Sequence, residues 1–89
     1  MEYEWDETKQ AVNRSKHRIG FEVANLIDWS ETVIIDRSRH KDGEPRYAGI
    51  GLIEDKLHTV IFTWREGRMR IISLRRSNRS EEQIYAQTP

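Results

Sequence analysis

The run Thr63-Trp64-Arg65-Glu66-Gly67-Arg68-Met69-Arg70-Ile71-Ile72-Ser73-Leu74-Arg75-Arg76 limits the fold more than any other stretch of the chain. Glu66-Gly67 marks a tight turn between two runs of strand length, so the run is read as the turn and second arm of a β-hairpin. Alternation predicts that Arg70, Ile72 and Leu74 share one face and that Ile71, Ser73 and Arg75 share the other. Five of the fourteen residues are arginine, which places an arginine on each face of a strand that otherwise favours burial. A guanidinium is costly to desolvate unless it meets an anion. Either these arginines lie at strand ends and pair with Asp or Glu, or they border a site for an anionic ligand.

The remainder of the chain supplies the partners for that hairpin. Tyr3-Glu4-Trp5 reads as a short strand and Asp6 as the N-cap of a helix running to about His17, with Lys9 where a capping box would have Glu. Phe21, Ala24 and Ile27 mark a short amphipathic helix over 21–27, with Gly20 at its N-cap. Thr32–Asp36 is a β-branched strand, and 37–45 is polar with a turn signal at Asp42-Gly43. Residues 46–53 form a strand in which Gly49 and Gly51 indicate a bend or a close approach of another backbone. Glu54-Asp55-Lys56 is a turn, and Leu57–Trp64, apolar on both faces, is a central strand. Ser80 caps a last helix anchored by Ile84 and Tyr85. The order β, α, α, β, β, β, β, α predicts an α+β fold, with a mainly antiparallel sheet of four to five strands and helices on one face.

Eighty-nine residues make a single domain, 1–89, with a small core, since 34% of residues are charged. There is no cysteine, hence no disulfide framework and no zinc–thiolate site. No apolar run has transmembrane length and the acidic start is not a signal peptide, so a soluble cytoplasmic protein is expected. The net charge of zero hides an asymmetry. Residues 1–35 carry four basic and seven acidic groups, residues 36–80 eleven basic and six acidic, and Glu81 and Glu82 follow. A basic middle between acidic ends suits a nucleic acid, but on charge alone an internal pairing of the blocks is the preferred reading.

Taken together, Trp5-Asp6, Asn13, Lys16-His17, Phe21-Glu22-Val23-Ala24, Gly43-Glu44-Pro45-Arg46, Gly51, Arg70-Ile71-Ile72-Ser73-Leu74-Arg75, Glu82 and Tyr85 resemble the BrnT family of type II toxins, in that order and along nearly the whole chain. Arg18 stands where the family usually has glycine, so the turn that ends the first helix is expected to differ. The resemblance implies a RelE-like fold and a metal-independent endoribonuclease without cofactor. It implies a BrnA-like antitoxin in a 2:2 assembly, which neutralises the toxin and alone contacts operator DNA. That reaction turns a ribose 2′-OH on its own phosphate and needs a base, an acid and positive charge. The candidate catalytic residues are Lys16, His17, Glu44, Arg65, Arg70, Arg75 and Tyr85; Arg46, Trp64, Arg68 and Arg76 are candidate RNA contacts. His17 is the natural proton shuttle, Lys16 its charge partner, and Arg65, Arg70 and Arg75 can hold phosphate oxygens in pairs. Each has a plainer alternative: His17 complementing the helix dipole, Glu44 pairing with Arg46, Tyr85 and Trp64 in the core. His40 and His58 are weaker candidates, one in a polar loop and one beside apolar neighbours. No metal-ligand spacing, Ser-His-Asp set or phosphate loop is present. The competing reading is a non-catalytic RNA- or protein-binding module of the same fold.

Overall fold

The computed structural model describes residues 2–38 and 43–89. Asp42 of the expected turn and His40 lie outside them. The elements are β1 (Tyr3–Trp5), α1 (Glu7–His17), two 3-10 helices (Phe21–Leu26 and Trp29–Glu31), β2 (Val33–Asp36), β3 (Tyr47–Ile53), β4 (Lys56–Arg65), β5 (Arg68–Arg76) and α2 (Arg79–Gln87). The fold is α+β, with one five-stranded sheet in the order β1-β5-β4-β3-β2. Its three neighbouring pairs from β2 to β5 are antiparallel, but β1 lies parallel to β5, so the sheet is mixed. No helix is long and apolar enough to cross a membrane among the described residues.

One face of the sheet carries the core. Val60 and Phe62 of β4 and Met69, Ile71 and Leu74 of β5 pack under Phe21, Ala24 and Ile27. A spacing of three is the period of a 3-10 helix, which is why this segment winds as one rather than as an α-helix. Trp29 closes the core edge-on against Phe62, with ring centroids 5.6 Å apart. Gly49 and Gly51 face the same layer. A Cβ at Gly49 would stand 2.8 Å from the Trp29 ring, and one at Gly51 2.9 Å from Ile27 Cδ1. The close approach is therefore made by side chains, not by another backbone.

The helices do not share a face. Ala48, Ile50 and Thr59 alternate with the core residues of β3 and β4 and are fully buried on the opposite side. There α2 lies against β3 and is tied to β5 by Arg75 and Glu81. Its N-cap is Asn78, not Ser80: the Asn78 side chain accepts from the Glu81 amide and the Glu81 carboxylate accepts from the Asn78 amide.

A bulge in β5 overturns the expected alternation. Phe62 pairs with Ile71 and Ile61 with Ser73, which leaves Ile72 as the extra residue. Ile71 and Leu74 therefore both face the core, and Arg75 passes to the α2 side. Two-residue turns at Glu54-Asp55 and Glu66-Gly67, all four at positive φ, set the hairpin registers. Without the bulge the second register would put Arg75 opposite His58; with it, Arg76 takes that place.

Asn13 completes the sheet edge. β1 stops at Trp5, opposite Ile71, and β5 continues alone. The buried Asn13 amide then takes the place of a strand: Nδ2 donates to the Leu74 carbonyl at 2.7 Å, and Oδ1 accepts from the Leu74 amide at 3.2 Å. This fixes α1 along β5 and aims its C-terminal end at the far end of the strand. The α1 cap is Asp6 as expected, accepting from the Thr8 and Lys9 amides. Arg18 ends the helix at φ 61°, ψ 28°, so the left-handed turn is kept despite the missing glycine.

Candidate functional site

The structure divides the sequence-predicted residues between the two ends of the β4–β5 hairpin. At the turn end, Arg65, Arg68 and Arg70 each have a carboxylate partner. Arg65 Nη2 lies 2.9 Å from Glu44, Arg68 Nε 3.2 Å from Glu2, and Arg70 Nη1 3.7 Å from Glu4. Glu44 thus pairs with Arg65 and not with Arg46, which makes no ion pair among the described residues. Trp64 is about half exposed there, packed edge-on against Phe62 at 5.9 Å. The acidic N-terminus thus meets the basic hairpin inside one molecule, the internal pairing that the charge pattern allowed.

Arg75 is committed elsewhere. Its guanidinium grips Glu81 through two bonds of 2.7 and 2.9 Å. Burial works to raise the Glu81 pKa, but Arg75, the Asn78 amide and Thr59 outweigh it and hold the carboxyl below its ordinary value. Tyr85 donates its hydroxyl to the Glu31 carbonyl at 3.0 Å, tying α2 to the second 3-10 helix.

The other end of the hairpin opens into a cleft of about 630 Å³. His58 lies seven residues back along β4 from Arg65, roughly 23 Å away at ~3.3 Å per residue. The cleft is walled by the end of α1 (Arg14, His17, Arg18), the first 3-10 helix (Glu22, Val23, Leu26), the β3–β4 turn (Ile53, Glu54, Lys56) and the pair His58 and Arg76. Arg14 is held by Glu22 at 2.8 Å. Arg18, Lys56 and Arg76 have no ion-pair partner among the described residues. Lys16 is exposed on the next groove, which shares His17 with the cleft. Of the predicted set, then, only His17 and Arg76 line the cleft.

His58 is the residue that sequence reasoning undervalued. Its ring is buried, and Nδ1 lies 2.7 Å from the Lys56 carbonyl. A carbonyl only accepts, so Nδ1 carries the hydrogen and the neutral ring keeps its lone pair on Nε2. Burial is the main cause that holds the His58 pKa below its ordinary 6.5. The Lys56 carbonyl bond and Glu54 oppose that, while the Arg76 and Lys56 charges add to it. The available signal was the cross-strand pair His58–Arg76, which the unforeseen bulge concealed.

A cation-rich cleft with imidazoles suits acid–base chemistry on a phosphodiester. A family described as "Ribonuclease toxin, BrnT, of type II toxin-antitoxin system" matches residues 5–81. The chain belongs to this family. As a BrnT ribonuclease toxin it has an antitoxin partner implied by its type II system. No match was found among curated proteins. The matched span takes in every wall of the cleft and both arms of the hairpin. It stops within α2, at the Glu81 that anchors Arg75.

Proposed function

We propose that this BrnT chain is an endoribonuclease that cuts RNA by attack of a ribose 2′-OH on the adjacent phosphate, without a metal ion, in the cleft at the end of α1. The observation that carries this reading is the content of the cleft. His17 stands there with Arg18, Lys56 and Arg76, cations with no carboxylate partner among the described residues. Unpaired cations around a concave surface favour a polyanion, and the phosphate supplies the charge that they lack. An imidazole exchanges protons near neutrality, which the 2′-OH route requires. Lys16, beside His17 on the neighbouring groove, adds charge at the entrance.

The hairpin turn extends the track. Arg65, Arg68 and Arg70 are held by exposed or half-exposed carboxylates, and such pairs contribute little in water. They can exchange Glu44, Glu2 and Glu4 for phosphate oxygens, with Arg46 beside them and Trp64 as a stacking face for a base. Arg75 and Tyr85 serve this function by fixing α2 and the sheet. The sheet with flanking helices supports the RelE-like kinship, and the family supports a BrnA-like antitoxin in a 2:2 complex that alone reads operator DNA.

Expression of the chain without its antitoxin is expected to arrest growth and cut RNA. His17→Ala is expected to relieve both while the melting temperature stays unchanged. Growth arrest with intact RNA, from purified antitoxin-free protein, would overturn the proposal. Light scattering of the complex with a BrnA-like antitoxin is expected to give two copies of each chain.

A further inference from the structure

We infer that His58 is the general base of the cleft and His17 its general acid, so that the two imidazoles divide proton transfer at a single RNA phosphodiester. This rests on the ribonuclease reading above and deepens it. Both rings line one cleft, yet they are presented in opposite ways. His58 projects from the middle of the sheet, between Gly51 on β3 and Arg76 on β5. Its Nδ1–H is tied to the Lys56 carbonyl, so its orientation and tautomer are fixed, and the Nε2 lone pair has no hydrogen-bond partner among the described residues. His17 sits in the last turn of α1, half-buried, with no hydrogen bond holding either nitrogen among the described residues.

The surrounding charges favour the same division. His58 faces Arg76 on β5, Lys56 at the start of β4 and Glu54 in the β3–β4 turn. Across the cleft stand Arg14 of α1, Arg18 at its C-cap and Glu22 of the first 3-10 helix. Cations outnumber carboxylates around a buried ring, and both that excess and burial favour neutral His58, the form a base needs.

The step balances. His58 Nε2 takes the 2′-OH proton as O2′ bonds to phosphorus. The P–O5′ bond breaks, and protonated His17 gives its proton to the departing O5′. The products are a 2′,3′-cyclic phosphate and a 5′-hydroxyl, and exchange with water resets both rings. Arg76, directly opposite His58 on β5, is placed to hold a non-bridging oxygen.

The test uses full-length, antitoxin-free protein and a single-stranded RNA containing a bond that the wild type cuts. A second copy of this RNA carries sulfur in place of O5′ at that bond, giving a leaving group that needs no acid. His58→Asn keeps an amide donor for the Lys56 carbonyl and removes Nε2, and its melting curve reports whether it folds. On ordinary RNA both His58→Asn and His17→Ala are expected to lose about 10²–10⁴-fold in kcat with little change in KM. On the sulfur RNA, His17→Ala is expected to recover and His58→Asn to stay impaired. His58→Asn is also expected to lose the acidic limb of the wild-type pH–rate profile. A His58→Asn protein with the wild-type rate and profile overturns the assignment and leaves the ribonuclease reading standing. So does rescue of His58→Asn, rather than of His17→Ala, by sulfur. An unfolded His58→Asn shifts the decision to His58→Gln under the same criteria. A wild type that cuts no RNA removes both readings together.

Discussion

Replacing Asn13 by alanine is expected to be among the most damaging single changes in this small domain. Among the described residues Asn13 makes four side-chain hydrogen bonds: Nδ2 donates to the Leu74 and Ile19 carbonyls, and Oδ1 accepts from the Leu74 amide and the Ser73 hydroxyl. Leu74 is fully buried, so Asn13→Ala strands its amide and its carbonyl where water does not reach. A buried polar group left unpaired costs about 1–3 kcal/mol, and two at the middle of the lower half of that range come to about 3 kcal/mol. Against a total of roughly 5–15 kcal/mol for a domain this is a large share. At ~4–8 °C per kcal/mol for a chain of this size, the melting temperature should fall by about 12–24 °C. Urea titration followed by the fluorescence of the three tryptophans, with thermal circular dichroism, measures it. Asn13→Asp is the isosteric control. It keeps the acceptor for the Leu74 amide but aims a carboxylate at the Leu74 carbonyl. Its defect should shrink as pH falls through the raised pKa of that Asp, because the protonated acid can donate again. An Asn13→Ala protein within about 0.5 kcal/mol of wild type would refute the claim that this side chain completes the sheet edge.

Glu81→Ala should cost about 2 kcal/mol, below the 3–5 kcal/mol of a fully buried pair because the Arg75 side chain keeps 27% of its exposure. Since Glu81 titrates below its ordinary 4.5, its stabilisation is complete above that pH and is lost as pH falls through the folded value, a slope that the variant should lack. His58 acts in a higher window. Its lowered pKa means that stability falls as pH drops from 6.5 through the folded value, and His58→Asn should flatten that part of the curve. Arg18→Gly should raise stability by about 0.5–1 kcal/mol, relief of a left-handed arginine less the entropy of glycine. The same change should weaken RNA binding and its salt dependence, because it removes a cation from the cleft.

Much of the fold was legible because local signals agreed with tertiary packing. Asp6, the Phe21-Ala24-Ile27 spacing, the turns at Glu54-Asp55-Lys56 and Glu66-Gly67 and the central strand Leu57–Trp64 all mark their elements in the sequence, though Lys56 already belongs to the strand. What was not legible is non-local. Nothing near Tyr3 announces that β1 will pair parallel with a strand more than sixty residues later, where Glu4 comes beside Arg70. The bulge at Ile72 leaves no mark in composition, yet it sends Arg75 to Glu81 and Arg76 to the cleft. It also separates residues that the sequence had gathered into one candidate set: His17 and Arg70 lie toward opposite ends of β5. His58 was hidden for the same reason, since its value comes from Arg76, Lys56 and the end of α1 meeting around it.

Cleavage of RNA in the cleft of this BrnT chain is proposed to run by 2′-OH chemistry. The most direct measurement is the end-group chemistry of RNA treated with antitoxin-free protein in chelator, beside the same RNA carrying a single 2′-deoxy substitution at the cut site. Attack by the 2′-OH gives a 2′,3′-cyclic phosphate and a 5′-hydroxyl, with the deoxy bond left intact. Cleavage of the deoxy bond, ends bearing 5′-phosphate and 3′-hydroxyl, or activity that appears only when a metal ion is restored would contradict it.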